Sequence, residues 1–394
     1  MKICIVTVQY PPRLGGVATA SARLAAGLRR QGHDVMVVTQ KPSWEPQSDN
    51  AEPAFNMEEG IAVYRFSEFA MTDRGYGQLM PVLLKEVSAF EPDLIHSYYL
   101  HPTGYLACAV GRQLGVPVTV SARGDDVTLD MLIAPDRVSA VLNAATRVLS
   151  VSQSLIDWLG FIKPDVDGFE VQNGVNAYFK PRRAEAKEWR AENNLRPDQI
   201  VIGANARFRW KKGMDHLHAI LDNLGRSMGD RLVFVLGGDF PDGLVEETRQ
   251  VLENHGSRAI ILNRPDRQKL AIYYSAFDLF LLTSIREGLS NSLLEAMACG
   301  VPVVSTPANG CEQVVRDYRC GIVISPYDDV AAARDIETLI DDPDQRSQFS
   351  ANALSAIEDH FQVERELGEY SAVFEEIVAD AALHRHDPDR AILL

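Results

Sequence analysis

Short apolar runs alternate with stretches of helical periodicity along almost the whole chain. Lys2–Val8 reads as a buried strand that stops at Pro11-Pro12. Leu14-Gly15-Gly16 then forms a turn, and Val17–Gln31 is helical in pattern, with Leu24 and Leu28 four apart. Gly32-His33 ends that helix and Asp34–Thr39 reads as a second strand, so the chain opens as a βαβ unit. Lys41–Gly60 is polar and proline-containing, with Trp44 and Phe55 its only large aromatics, and reads as a long surface loop. Alternation resumes with strand Ile61–Phe66, helix Tyr76–Phe90, strand Asp93–Ser97, helix Pro102–Leu114, strand Val116–Ser121, strand Arg147–Val151, helix Ser152–Leu159 and strand Phe169–Gln172. Asn173-Gly174 signals a turn, and Phe179–Arg196, with one polar helix, reads as a connection.

The pattern restarts at Ile200. Strand Ile200–Ala204, helix Gly213–Leu224 and strand Arg231–Leu236 repeat the opening, with Leu217, Ile220, Leu221 and Leu224 in helical register. Helix Leu244–His255, strand Ala259–Leu262, helix Gln268–Ala276 and strand Leu279–Thr283 follow. After a short helix in the 290s come strand Val301–Ser305, helix Cys311–Arg316, strand Ile322–Ile324 and three helices ending near Ala382. The tail His384–Leu394 reads as poorly ordered. Two successive parallel α/β halves are implied. Their expected bounds are residues 1–180 and 197–361, with a terminal helix over 362–382 packing back on the first half.

Length agrees, since 394 residues exceed what one core usually organises and divide into two domains of about 150–200 residues. No apolar run reaches the ~20 residues of a membrane span, and the apolar N-terminus is too short for a signal peptide. Five cysteines form no C-x-x-C pair, which points to reduced thiols in the cytoplasm and against a zinc site. A net charge of −15 argues against a nucleic-acid partner. The charge is uneven, −4 over residues 1–180 and −11 over 181–394. An anionic ligand would therefore need cations placed locally.

One loop supplies them. Arg207-Phe208-Arg209-Trp210-Lys211-Lys212-Gly213 carries four cations in six residues between a strand and a helix start, a pattern that suits a diphosphate or is simply a solvated basic loop. A second stretch, Glu287–Gly300, holds Glu287 and Glu295 eight apart around a helix with Leu293, Leu294 and Met297 on its apolar face. Ser290, Asn291 or Ser292 can cap that helix, while Gly300 and Pro302 stop it. Only Glu295 falls inside it; Glu287 lies just before, where unbonded backbone N–H groups and the positive helix end project. In the first half, Gly15-Gly16 either lets an anion approach the backbone or makes a plain tight turn, and the dinucleotide fingerprint G-x-G-x-x-G is missing. Arg123-Gly124-Asp125-Asp126 is a charged loop at a strand's C-terminal end, the edge where open α/β sheets bind ligands.

These segments together resemble the retaining, nucleotide-sugar-dependent glycosyltransferases of family 4. The resemblance rests on R-F-R-W-K-K-G (207–213), L-G-G-D (236–239), Y-Y-S-A-F-D-L-F (273–280) and E-G-L-S-N-S-L-L-E-A-M-A-C-G-V-P-V-V (287–304). Gly15-Gly16-Val17, D-L-I-H (93–96), V-S-Q-S (151–154) and N-G-V-N (173–176) match in order in the first half. It implies the GT-B fold, two Rossmann-like parallel-sheet domains facing each other across a cleft. It also implies retaining transfer of a hexosyl group from a nucleotide-diphosphate sugar, UDP before GDP, to a hydroxyl of a glycan, glycolipid or small molecule. Arg207, Lys212 and Glu287 would be catalytic. Gly15, Gly16, Gly288, Leu289, Ser290, Glu295 and Arg264 would bind the donor. Arg123, Asp126 and His96 would contact acceptor or sugar.

No metal is expected, because the cations replace it, and no other cofactor. Aspartates two apart at Asp165/Asp167, Asp342/Asp344 and Asp387/Asp389 all fall in turn or tail contexts. Arg123 stands where many relatives have His, and either contacts phosphate or an acidic acceptor group or forms a structural ion pair. Arg23, Arg29 and Arg30 are the one candidate basic face for peripheral contact with the inner membrane surface, and a solvated face explains them equally. The same fold also serves sugar-nucleotide epimerases and catalytically silent binders, which form the alternative reading.

Overall fold

The computed structural model describes residues 1–42, 44–45, 53–67 and 73–384. They divide into two units, Met1–Gln172 with the C-terminal helix from Glu364, and Asn173–Val363. The first boundary lies at 172/173 rather than 180, and the polar helix Arg183–Glu192, expected in a connection, belongs to the second unit. Residues 385–394, expected as a loose tail and holding Asp387/Asp389, lie outside the described residues. No helix among the described residues is long and apolar enough to cross a membrane.

The first unit is built on eight strands: β1 (Lys2–Val6), β2 (Asp34–Gln40), β3 (Ala54–Glu58), β4 (Ile61–Phe66), β5 (Leu94–Tyr98), β6 (Val118–Ala122), β7 (Arg147–Ser150) and β8 (Gly168–Glu170). Their order is β3-β4-β2-β1-β5-β6-β7-β8, parallel throughout except for β3. The inner strands are buried without alternation, polar residues included, because helices cover both faces. β3 corrects the expectation of a structureless loop over Lys41–Gly60. It pairs antiparallel with β4 through a two-residue turn at Glu59 and Gly60, both at positive φ. Phe55 lies against Tyr64 across that pair, with ring centroids 4.9 Å apart. Residues 43 and 46–52 of the same stretch are outside the described residues.

The terminal helix Val363–His384 covers this sheet. Arg23 and Glu366 form a buried two-point ion pair at 2.7 and 2.9 Å. Gly27 lies so close to Leu367 that an added Cβ would sit 2.3 Å from a Leu367 methyl. Arg23 of the expected basic face therefore faces inward, while Arg29 pairs with Asp34 at 3.5 Å on the surface.

The second unit has six parallel strands: β9 (Ile200–Arg207), β10 (Leu232–Asp239), β11 (Arg258–Asn263), β12 (Leu279–Leu282), β13 (Val303–Ser305) and β14 (Gly321–Val323). Their order, β11-β10-β9-β12-β13-β14, is the doubly wound 3-2-1-4-5-6 arrangement. Leu217, Ile220, Leu221 and Leu224 of helix Met214–Met228 and Ala332, Ile336 and Leu339 of helix Asp329–Asp341 close one face of its core. Strand order reverses between β9 and β12, and there the crevice at the strands' C-terminal ends opens. Both segments singled out in the sequence leave the sheet at that point.

Candidate active site

The cationic loop follows β9 and the Glu287 loop follows β12, so the switch point brings them side by side. Four links join them. Thr283 Oγ1 donates to the Lys212 carbonyl at 2.9 Å, and the Ile285 N–H to the Lys211 carbonyl at 2.8 Å. The Arg286 guanidinium lies 4.8 Å over the Trp210 ring. Lys212 Nζ donates to Glu287 Oε1, in a pair only 13% and 12% exposed. Gly213 is required here. Its φ is +64°, and a Cβ would lie 2.1 Å from the Thr283 carbonyl oxygen.

Glu287 also accepts from Ser284 Oγ at 3.1 Å. Burial by itself pushes its carboxyl up. The Lys212 and Lys211 charges, with the hydrogen bonds from Lys212 and Ser284, outweigh burial and hold it below the usual carboxylate range. Glu287 is thus an ionised acceptor at neutral pH, suited to binding hydroxyls and unsuited to donating a proton. Lys212 keeps two further N–H donors on the same ammonium.

Beyond Glu287, the Gly288 and Leu289 N–H groups donate to no protein acceptor among the described residues, while their carbonyls accept from Gly310 N–H at 3.0 Å and Asn173 Nδ2 at 3.1 Å. Ser290 begins helix Asn291–Ala298 without a side-chain cap, and its N–H reaches only the Cys311 sulfur at 3.3 Å. This backbone is shaped to receive an anion or a sugar oxygen. Glu295, one turn in, accepts from Tyr274 Oη at 2.9 Å, and Tyr274 accepts from Asn205 Nδ2 at 2.7 Å. Burial first, and then the Glu295 charge, raise the Tyr274 phenol well above its ordinary value, so it remains a donor. Arg207 and Arg264 converge on Asp239, at 3.6 and 2.9 Å. Tyr274, Asn205, Ser284 and Asp239 received no role from the sequence, although two of them lie in motifs that carried the resemblance.

In the first unit the candidates fare differently. Gly15 has φ +147° and caps helix Gly16–Arg30 at the C-terminal end of β1. Beside it Gln9 Nε2 donates to Tyr99 Oη at 3.2 Å across that sheet's own switch point. His96 is not available to a ligand. It is fully buried under the terminal helix, its ring 5.1 to 5.4 Å from Tyr98, Tyr370 and Phe374, and Nδ1 bonds Thr119. Burial, then the Arg123 charge, lower its pKa to about 3. Asp126 is also taken up internally. Its carboxylate accepts from the N–H groups of Arg123, Gly124 and Leu100 at 2.8 to 3.0 Å, fixing the loop after β6. Arg123, partly exposed, lies with its guanidinium 5.1 Å from the Tyr98 ring. Of the aspartate pairs, Asp342 caps helix Pro343–His360 and Asp167 pairs with Arg147 at 2.8 Å.

Two family models match. One, described as glycosyl transferases group 1, covers residues 185–355; the other, a glycosyl transferase 4-like domain, covers residues 15–165. The chain belongs to the family 4 glycosyltransferases. This glycosyltransferase is 25% identical to the alpha-monoglucosyldiacylglycerol synthase of Streptococcus pneumoniae, over 91% of its own length and 82% of the other's. It is 26% identical to the GDP-mannose-dependent alpha-mannosyltransferase of Mycolicibacterium smegmatis, over 82% and 84%. Its fold matches Anabaena HepE, solved with UDP and glucose, at a TM-score of 0.75, with 20% identity over 95% of this chain and all of that one (100%). The fold is GT-B. The enzyme transfers a sugar residue from a nucleotide-sugar donor.

Proposed function

We propose that this glycosyltransferase moves a hexosyl group from a nucleotide-diphosphate sugar, UDP-linked in preference to GDP-linked, to a hydroxyl of a glycan, glycolipid or small-molecule acceptor, with retention and without a metal ion. The observation that carries the reading is the buried Lys212–Glu287 pair at the switch point, joined to a loop with surplus cations. Lys212 and Arg207 meet the diphosphate and stabilise the charge that develops on it as the glycosidic bond breaks, the task a divalent ion would otherwise perform. Glu287 and the backbone at Gly288, Leu289 and Ser290 orient the sugar ring, and Glu295, fixed by Tyr274, binds the ribose hydroxyls. Retention follows if the acceptor attacks the face the leaving group vacates, with a phosphate oxygen taking its proton. The UDP preference draws on the HepE complex, and the mannosyltransferase relative keeps GDP in the test. A cytoplasmic location is supported by five buried, unpaired cysteines.

The test is release of UDP or GDP from a donor panel, with and without acceptors, and the anomeric configuration of the product by NMR. Acceptor-dependent release, undiminished by a chelator, with an α-linked product from an α-linked donor, is expected. Binding without release, or interconversion of donor sugars without an acceptor, would refute transfer.

A further inference from the structure

Asp239, the last residue of β10, stands among three guanidinium groups drawn from two loops. Its Oδ1 accepts from Arg264 Nε and Nη2 at 3.1 and 2.9 Å. Its Oδ2 lies 3.6 Å from Arg207 Nε and 3.7 Å from Arg209 Nη2, beyond hydrogen-bond length. One oxygen therefore fixes Arg264, while the other draws Arg207 and Arg209 by charge without occupying the N–H groups nearest to it.

The backbone around this carboxylate is bent to produce the convergence. Gly238 has φ +129°, and a Cβ there would lie 1.8 Å from the Ala206 carbonyl oxygen, so no other residue fits. Arg264 has φ +44°, a left-handed conformation that disfavours an arginine, and its N–H is tied to the Gly238 carbonyl at 2.7 Å. Such a conformation persists only where the surroundings over-determine it, and such places cluster at functional sites. The three arginine side chains are 43 to 68% exposed. Arg209 Nη1 also donates to the Phe208 carbonyl at 2.8 Å, so Asp239 is the anion shared by all three side chains rather than the sole partner of each.

We propose that Asp239 is a positioning residue for the donor diphosphate. It holds the guanidinium groups of Arg207, Arg209 and Arg264 gathered before the donor arrives, so that binding does not have to order them. The proposal rests on the donor reading above and goes beyond it, because it assigns the specificity for a diphosphate to a carboxylate that would otherwise repel one.

Isothermal titration of wild type, Asp239→Asn and Asp239→Glu with UDP, GDP, uridine and guanosine tests it, with donor kinetics beside. Asp239→Asn is expected to weaken diphosphate binding on the order of tenfold while nucleoside affinity changes less than about twofold. KM for the donor should rise, and kcat should fall with it in so far as Arg207, which also meets the charge developing in the transition state, loses its position. Asp239→Glu, which keeps the charge, should recover part of the loss. Unchanged or tighter diphosphate binding by Asp239→Asn would overturn the proposal, as would an equal loss for nucleosides, which signals general damage. Should Asp239→Asn lose its cooperative melting transition, Asp239→Glu carries the test alone: a selective weakening supports the proposal and an unaltered affinity overturns it. A wild-type chain that binds neither UDP nor GDP would overturn the donor reading and this inference with it. Wild-type binding with an indifferent Asp239→Asn overturns the inference alone.

Discussion

Lys212→Met removes the ammonium from a pair whose members are 13% and 12% exposed, and leaves Glu287 with Ser284 as its remaining side-chain donor among the described contacts. Methionine preserves the length of the stem, so packing is nearly retained and the change is mainly electrostatic. Breaking one side of a buried pair costs about 3–5 kcal/mol. For a domain of this size each kcal/mol moves the melting temperature by about 2–4 °C, so a fall on the order of 10 °C is expected. The pH dependence should weaken. In the wild type the Glu287 carboxyl is held low, so its contribution is present above the ordinary carboxylate value and is lost as pH falls through the depressed folded value. In Lys212→Met the largest of the lowering causes is gone while burial, the Lys211 charge and the Ser284 bond remain, so the Glu287 carboxyl moves up and less stability is lost on acidification. Lys212→Met/Glu287→Gln should regain most of the stability and none of the activity, whereas either single change lowers kcat by about 10²–10³. Melting curves from pH 3 to 8, with single-turnover assays, measure all of this. A Lys212→Met variant that melts like wild type at every pH would refute the buried-pair account.

Tyr274→Phe removes a hydroxyl that bonds both Glu295 and Asn205, at 2.9 and 2.7 Å. A bond to a charged group contributes about 1.5–3 kcal/mol, so donor KM should rise at least tenfold with little change in kcat, read from steady-state kinetics. Gly27→Ala, normally stabilising inside a helix, should destabilise by about 1–3 kcal/mol in urea because its Cβ meets Leu367 at 2.3 Å. Adding Leu367→Ala should offset part of that loss, and strict additivity would contradict the contact. His96 stays neutral in the fold, since burial lowers its pKa from 6.5 to about 3. It therefore contributes stability that is present above pH 6.5 and lost as pH falls toward 3, and His96→Gln should flatten that slope in melting temperature without changing kcat.

The fold was largely legible because period and strand order follow from local chemistry. Buried parallel strands read as unbroken apolar runs, and glycines or charges at their ends mark the C-terminal edge. What escaped depended on partners far along the chain. β3 was hidden because a Glu-Gly turn lacks the usual Asn-Gly or Asp-Gly signal, and because its side chains Phe55 and Met57 are exposed rather than alternating into a core. The helices between Asp125 and Ala144 went unread for a similar reason, as they are short, lightly buried and start without side-chain caps. His96 was misread because it lies on a strand that runs to the ligand edge, while the rings that cover it come from Tyr370 and Phe374, more than 270 positions later.

The candidate site shows the same division at closer range. Arg207, Lys212, Glu287 and Glu295 were visible as residue types at a helix start. Which charge meets which was not, because Lys212 and Glu287 are 75 positions apart and become neighbours only when β12 lies beside β9. That adjacency is itself a product of strand order, and the two loops then fasten through Thr283, Ile285 and the Arg286–Trp210 stack. Gly213 is the point where the requirement is strictest, since any side chain there would drive the loops apart at the Thr283 carbonyl. A loop rich in positive charge becomes a site for a diphosphate only when something holds its cations in one direction. In this unit two carboxylates do so, Glu287 for Lys212 and Asp239 for the arginines. The acidic residues of an anion-binding pattern are therefore as much a part of recognition as the basic ones, and a search of the sequence for basic clusters alone would pass over them.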